Sequence, residues 1–166
     1  MDKGMNSLKN YLMQGVTTVV TGNCGDGTWE VDKFFNQLDS VGTGINIVHL
    51  AGHNTIRNQV MGMDSREPTA DEMEEMKKMI RAAMAAGAAG MSTGLFYTPG
   101  AYSETPELIE LAKVVKDFEG FYATHIRDES NYNIGLAEAV KEAVLIGEKS
   151  GVRVEISHIK ALGKPV

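Results

Sequence analysis

Two periodicities alternate along this chain. Short runs rich in β-branched and apolar residues read as strands, and longer stretches with apolar residues three and four apart read as helices. Residues 5–14 read as the end of a helix closed by Gly15, and Val16–Thr21 as a strand. Residues 29–41 read as a helix with Phe34, Phe35 and Leu38 on one face. Gly42 and Gly44 break it, and Ile45–Leu50 reads as a second strand. A longer loop is expected from there through Arg66, Glu67 and Pro68. Thr69 opens the clearest helix, because Thr69 and Glu72 have the spacing of a capping box. Met73, Met76, Met79, Ile80, Ala83 and Met84 follow at helical spacing, up to a stop at Gly87. Ala88–Thr93 reads as a third strand. Thr105 and Pro106 start another helix, and Phe121–Thr124 is a fourth strand. Residues 133–149 read as a helix stopped by Gly151, and Val152–Ser157 as a fifth strand.

Strands alternating with helices imply a parallel sheet with right-handed crossovers. Two architectures fit that order. A doubly wound open sheet could be complete in 166 residues. A (β/α)8 barrel needs roughly 250 and would be partial here. No GxGxxG or P-loop signature supports a nucleotide-binding open sheet. The sequence starts inside a helix and stops just after a strand, which suggests a piece cut from something longer.

Composition narrows the classes further. A hydrophobic content of 43% with 23% charged residues fits a soluble globular protein. A net charge of −6 leaves no basic stripe to neutralise phosphates, so nucleic acid is not an expected partner. No apolar stretch approaches the roughly 20 residues of a membrane helix. The N-terminus MDKGMNSLKN lacks the apolar core of a signal peptide. A single cysteine excludes an intramolecular disulfide, and a reducing cytoplasm is the expected compartment.

Chemistry concentrates at strand ends. Cys24, His125 and His158 close the runs GVTTVVTGNC, GFYATH and VRVEISH. If those runs are parallel strands of one sheet, a thiol and two imidazoles arrive at the same edge, where α/β folds keep their sites. That set suggests zinc. Taken singly, Cys24 also reads as a small buried hydrophobe, and each histidine as a hydrogen-bonded strand-end residue. His49 and His53 follow the second strand, and a local hydrogen-bonding role is expected for them, with substrate-side contact as the alternative. Arg127, Asp128 and Glu129 crowd the loop after His125, where a carboxylate could orient a ligand histidine or simply face water. Lys160, two residues past His158, would share its face if the strand continued; a cation there would suit an anionic substrate group, and an ordinary exposed lysine is the equal alternative. Tyr97 reads as a wall residue whose hydroxyl could reach a reacting carbonyl. The methionine-rich helix reads as core, and its DEMEE run as a dipole-facing, solvated first turn.

GVTTVVTGNCG, GHNTIRNQVMG, GAAGMSTGLFYTPG, ATHIRDE and ISHIKALG together resemble the N-acyl-D-amino-acid deacylases (D-aminoacylases) of the amidohydrolase superfamily. The resemblance runs from about residue 10 to residue 163. It implies a metal-dependent (β/α)8 barrel, of which this chain would hold about five parallel strands with their helices. By the same resemblance, Cys24, His125 and His158 are zinc ligands. Lys160 helps hold the α-carboxylate of a small N-acyl-D-amino acid, and Tyr97 lines the site near the scissile amide. The implied reaction is zinc-dependent hydrolysis of that amide. The chain departs from the family's pattern as well. It has no HxH or HxD motif of a first strand, no aspartate of a late strand and no β-sandwich. Residues 1–166 are therefore expected to be a partial catalytic barrel, inactive or nearly so alone and prone to self-association through exposed barrel edges. An inactive metal-binding fragment, or an amidohydrolase acting on other cyclic or linear amides such as a hydantoinase or dihydroorotase relative, are the alternatives. The cysteine of GNCG, in place of a modified lysine, speaks against the latter.

Overall fold

A computed structural model describes residues 7–163 of the chain. Five strands form one parallel sheet: β1 (Thr18–Thr21), β2 (Asn46–Gly52), β3 (Gly90–Gly94), β4 (Phe121–His125) and β5 (Arg153–Ile156). Their order across the sheet follows the chain, β1-β2-β3-β4-β5, and every neighbouring pair is parallel. A doubly wound sheet reverses direction at a switch point. This one never reverses, so it is an arc of a (β/α)8 barrel, not an open nucleotide-binding sheet.

The helices are α1 (Lys9–Leu12), α2 (Val31–Val41), α3 (His53–Met61), α4 (Ala70–Ala85), α5 (Thr105–Asp117) and α6 (Leu136–Ser150), with a 3₁₀ turn at Gly100–Tyr102. The expected helix over 5–14 is confined to α1 within the described residues, and its first two positions lie outside them. The capping box on α4 is present: Thr69 accepts from the Glu72 amide, and the Glu72 carboxylate accepts from the Thr69 amide. Gly87 follows with φ +102°, a conformation a side chain would resist. The last helix begins three residues later than expected, because Gly135 sits at φ +86° and the Asp128 carboxylate binds the amides of Asn133 and Gly135.

One expectation fails. The supposed loop between residue 51 and Pro68 contains α3, which starts directly at the end of β2. Gly52 precedes it with no side-chain cap, and three of its five buried residues are His53, Asn54 and Arg57. A helix that buries polar side chains carries little apolar periodicity, so the pattern does not announce it.

The core lies between sheet and helices. Met76, Met79, Ile80, Ala83 and Met84 of α4 pack with Leu108, Leu111, Ala112 and Val115 of α5, Tyr122 of β4 and Ile146 of α6. Each large side chain buried there contributes about 1.5–3 kcal/mol. β3 is buried at all five positions, whereas β1 and β5 alternate between exposed and half-buried, as outer strands of an arc do. Gly90 lets β3 and β4 approach, since a side chain there would strike the backbone of Phe121.

Candidate metal centre

The parallel sheet brings the C-terminal ends of its strands to one edge, and three expected ligands meet there. Cys24 lies in the turn after β1, His125 is the last residue of β4, and His158 follows β5. The Cys24 Sγ is 3.7 Å from His125 Nδ1 and 3.6 Å from His158 Nε2. All three donor atoms lie within 4.8 Å of one another. Zinc bonded tetrahedrally to thiolate and imidazole would separate S and N by about 3.6 Å. The donor set and spacing therefore fit zinc.

The backbone at this edge takes two uncommon turns. Cys24 has φ +56° and His158 φ +38°, left-handed conformations that disfavour a residue with a Cβ by roughly 1–2 kcal/mol. Neighbouring structure holds the Cys24 turn in place. Gly25 donates its N–H to Ser92 Oγ, and the Ser92 hydroxyl donates to the Gly22 carbonyl. The Thr55 amide donates to the Gly25 carbonyl at 3.1 Å, and the Gly52 amide to the Gly27 carbonyl at 2.9 Å. Gly25 stands at φ +83°, and a side chain there would run into Asn54 and the Gly94 amide.

The electrostatics differ between thiol and imidazole. Burial raises the Cys24 pKa, helped by Asp26 and Glu129 and opposed by Lys160. A bound cation is what would favour its thiolate. Burial lowers the His125 pKa, with Glu129 opposing and His158 and Lys160 assisting, so its imidazole is held neutral, the form that ligates metals.

Of the three charged residues in the loop after β4, one turns its carboxylate toward the two imidazoles. Glu129 is buried, and its Oε1 lies 3.5 Å from His125 Nε2 and 3.3 Å from His158 Nδ1. His125 Nε2 makes no hydrogen bond. Arg127 instead pairs with Glu142 at 2.8 Å and donates to the carbonyls of Ala101 and Ser103. Burial pushes the Asp128 carboxyl up, but the amides of Asn133, Ser130, Gly135 and Tyr132 bring it below its ordinary value overall, an acceptor that shapes the loop.

Lys160 does not extend β5, which ends at Ile156, yet its Nζ reaches Glu129 Oε1 at 2.5 Å and His158 Nδ1 at 3.4 Å. Tyr97 is 47% exposed, with its ring edge-on to His125 at a centroid distance of 4.8 Å. Phe96 lies 5.9 Å from the same imidazole and forms a rim with it. The two remaining histidines stand apart from this cluster. His49 meets Thr21 Oγ1 and the Thr28 carbonyl, and His53 meets Glu107 at 2.7 Å, both local hydrogen-bonding roles.

Asn54 and Ser92 are supporting residues that the sequence pattern did not single out. The signal was thin: a lone amide directly after a strand, and a serine inside a buried one. A surface groove of about 910 Å³ runs along α6 past the Arg127–Glu142 pair and is lined by none of the three candidate ligands.

No family model matches the chain. Over 93% of its length it is 36% identical to the D-aminoacylase of Alcaligenes xylosoxydans xylosoxydans, and spans 36% of that protein. It is 35% identical over 92% of its length to the N-acyl-D-aspartate deacylase of the same organism, spanning 35% of it. Among solved structures, a crystal structure of D-aminoacylase, described as defining a novel subset of amidohydrolases, matches with a TM-score of 0.88 at 34% identity, covering 98% of this chain and 38% of that one. The N-acyl-D-glutamate deacylase from Bordetella bronchiseptica, complexed with zinc and a phosphonate inhibitor, matches with a TM-score of 0.81 at 34% identity, covering 91% of this chain and 36% of that one. The chain thus spans about a third of the length of these relatives.

Proposed function

The chain is a homologue of the N-acyl-D-amino-acid deacylases, amidohydrolases in both sequence and fold, and from that premise we propose that it is the metal-holding arc of a zinc-dependent hydrolase of N-acyl-D-amino acids. The observation that carries this reading is the meeting of Cys24, His125 and His158 at the C-terminal sheet edge, with sulfur–nitrogen distances of 3.6 and 3.7 Å. Residues 1–166 act in it as part of a catalytic barrel that further strands complete.

In this reading Cys24, His125 and His158 hold zinc. Zinc held there would act as a Lewis acid, polarising an amide carbonyl and making water easier to deprotonate near neutral pH. Lys160 receives the substrate's α-carboxylate, and that contact fixes the amide over the cluster and reduces the entropy lost on reaching the reactive geometry. Tyr97 stands at the exposed rim beside His125, where its hydroxyl can donate to the substrate carbonyl. Phe96 and Tyr97 keep bulk water from one side of the site.

The substrate is a small molecule. Among the described residues no helix is long and apolar enough to cross a membrane. A cytoplasmic location suits a lone cysteine kept as a thiol among two imidazoles. Among the described residues the outer strands β1 and β5 each pair on one side only, and such edges favour self-association when nothing covers them.

A segment exchange tests the reading. The chain replaces the matching third of the Alcaligenes D-aminoacylase, and the purified chimera is assayed for release of D-methionine from its N-acetyl form. Zinc-dependent hydrolysis of the D but not the L substrate is expected. A folded, zinc-loaded chimera that hydrolyses neither would overturn the proposal.

A further inference from the structure

A single oxygen of the buried Glu129 faces three nitrogens. Its Oε1 lies 2.5 Å from Lys160 Nζ, 3.3 Å from His158 Nδ1 and 3.5 Å from His125 Nε2. Glu129 is 3% exposed, so its charge is balanced by the Lys160 ammonium more than by water. On both imidazoles the nitrogen facing Glu129 is the one opposite the nitrogen that faces Cys24. The other charges of this loop are engaged elsewhere, Arg127 with Glu142 and Asp128 with backbone amides. Lys160 is 45% exposed at its side chain, and apart from Glu129 it meets His158 at 3.4 Å.

We propose that Glu129 is a positioning residue that couples the cation site to Lys160: one carboxylate oxygen anchors the ammonium and, once a cation is bound, draws up to the two imidazoles it already faces and holds them in their ligating orientation. The inference rests on the reading of Cys24, His125 and His158 as ligands and of Lys160 as the carboxylate-binding residue. Two opposed effects follow. The carboxylate behind the imidazoles strengthens their grip on a cation. The ammonium it anchors weakens that grip, because a positive charge is held next to His158. A substrate carboxylate that draws Lys160 away from Glu129 relieves the second effect, so anion and cation bind with mutual support. By linkage, a cation that draws Glu129 toward the imidazoles loosens Lys160 for the anion by the same factor.

Cobalt(II) titration of the full chain, followed through its thiolate-to-cobalt absorption band, tests this. Glu129→Gln is expected to weaken cobalt binding by about 10- to 100-fold. Lys160→Met, at an exposed position that does not endanger folding, is expected to tighten it by about three- to tenfold. In the Glu129→Gln background Lys160 swings into water, so there Lys160→Met is expected to change nothing. The coupling is overturned if Glu129→Gln binds cobalt within about twofold of the wild type, or if Lys160→Met has the same effect in both backgrounds. Should Glu129→Gln fail to fold, absence of tightening in Lys160→Met alone overturns it. Cys24→Ala separates the two layers. Unchanged cobalt affinity in that variant refutes the ligand reading itself, whereas loss of affinity there with no effect at Glu129 refutes only the coupling.

Discussion

Asn54 binds Gly94 as a neighbouring strand would: its Nδ2 donates to the Gly94 carbonyl at 3.0 Å, and its Oδ1 accepts from the Gly94 amide at 3.1 Å. Asn54 is the second residue of α3 and Gly94 the last of β3. The side chain takes over the pairing that β2 gives up where it turns into a helix. Both the Cys24 turn and the segment carrying Tyr97 rest on this junction, through the Thr55–Gly25 hydrogen bond and through Asn54 Nδ2, which lies 3.4 Å from the Tyr97 carbonyl.

Asn54→Asp keeps the shape and removes the donor, leaving a carboxylate oxygen against the Gly94 carbonyl in a site 3% exposed. A buried group left without its partner destabilises by about 1–3 kcal/mol, and more when charged. We expect the urea midpoint to fall with the slope m unchanged. A midpoint equal to that of the wild type would show that the pairing contributes nothing.

The cluster at the sheet edge predicts one zinc per chain and a fold that the metal supports. At a free zinc concentration 100 times Kd, binding stabilises by about 2.7 kcal/mol. Chelator-treated protein is expected to melt lower and to recover with zinc but not with magnesium, which prefers oxygen ligands. Cys24→Ala and His158→Ala are expected to lose both the metal and the recovery. Identical melting of stripped and zinc-supplied protein would count against the centre.

The five strands and the meeting of Cys24, His125 and His158 were legible in the sequence for one reason. Short runs of β-branched and apolar residues between glycines mark parallel strands, and parallel strands deliver their last residues to one edge. Strand boundaries shifted by only one or two residues, as at Thr18 in place of Val16. What stayed hidden was whatever depends on loop conformation or on buried polar atoms. Arg127, Asp128 and Glu129 are equivalent in sequence, and only the backbone path after β4 turns Glu129 toward the imidazoles and Asp128 toward the amides. α3 escaped because His53, Asn54 and Arg57 occupy positions where periodicity looks for apolar side chains. The left-handed backbone at Cys24 and His158 has no residue signature, since neither is glycine.

The polar interior of α3 leaves Glu107 as a buried charge that two buried partners depend on. It lies 2.7 Å from His53 Nε2 and 3.3 Å from Arg57 Nε, and both partners are fully buried. Glu107→Ala leaves the Arg57 guanidinium, whose other contacts are the carbonyls of Asp64 and Arg66, without a counter-charge. Breaking one side of a buried pair destabilises by about 3–5 kcal/mol. Arg66→Ala, which removes a pair at the surface, is expected to lose far less. Denaturant titration of the two variants checks the ranking, and equal losses would refute it.

The same contrast between buried and exposed charge fixes how α4 responds to acid. Arg66 forms a two-bonded pair with Glu72 at 2.6 and 2.7 Å, and the Thr69 amide donates to the same carboxylate. The Arg66 guanidinium first, then the Thr69 amide, hold the Glu72 carboxyl down to about 2, from an ordinary value of 4.5. A folded-state pKa below the unfolded one stabilises above the unfolded value and is lost as pH falls through the folded value. The contribution of Glu72 is therefore complete above about pH 4.5 and declines toward pH 2. Because the pair faces solvent, salt should shrink it. Glu72→Gln is expected to flatten this acid limb while leaving the Thr69 hydroxyl cap in place. Thr69→Ala is expected to lose about 1 kcal/mol at every pH, since a hydroxyl does not titrate. Unfolding midpoints between pH 2 and pH 5 decide the matter: an acid limb of the same slope in Glu72→Gln and wild type would rule out Glu72 as its source.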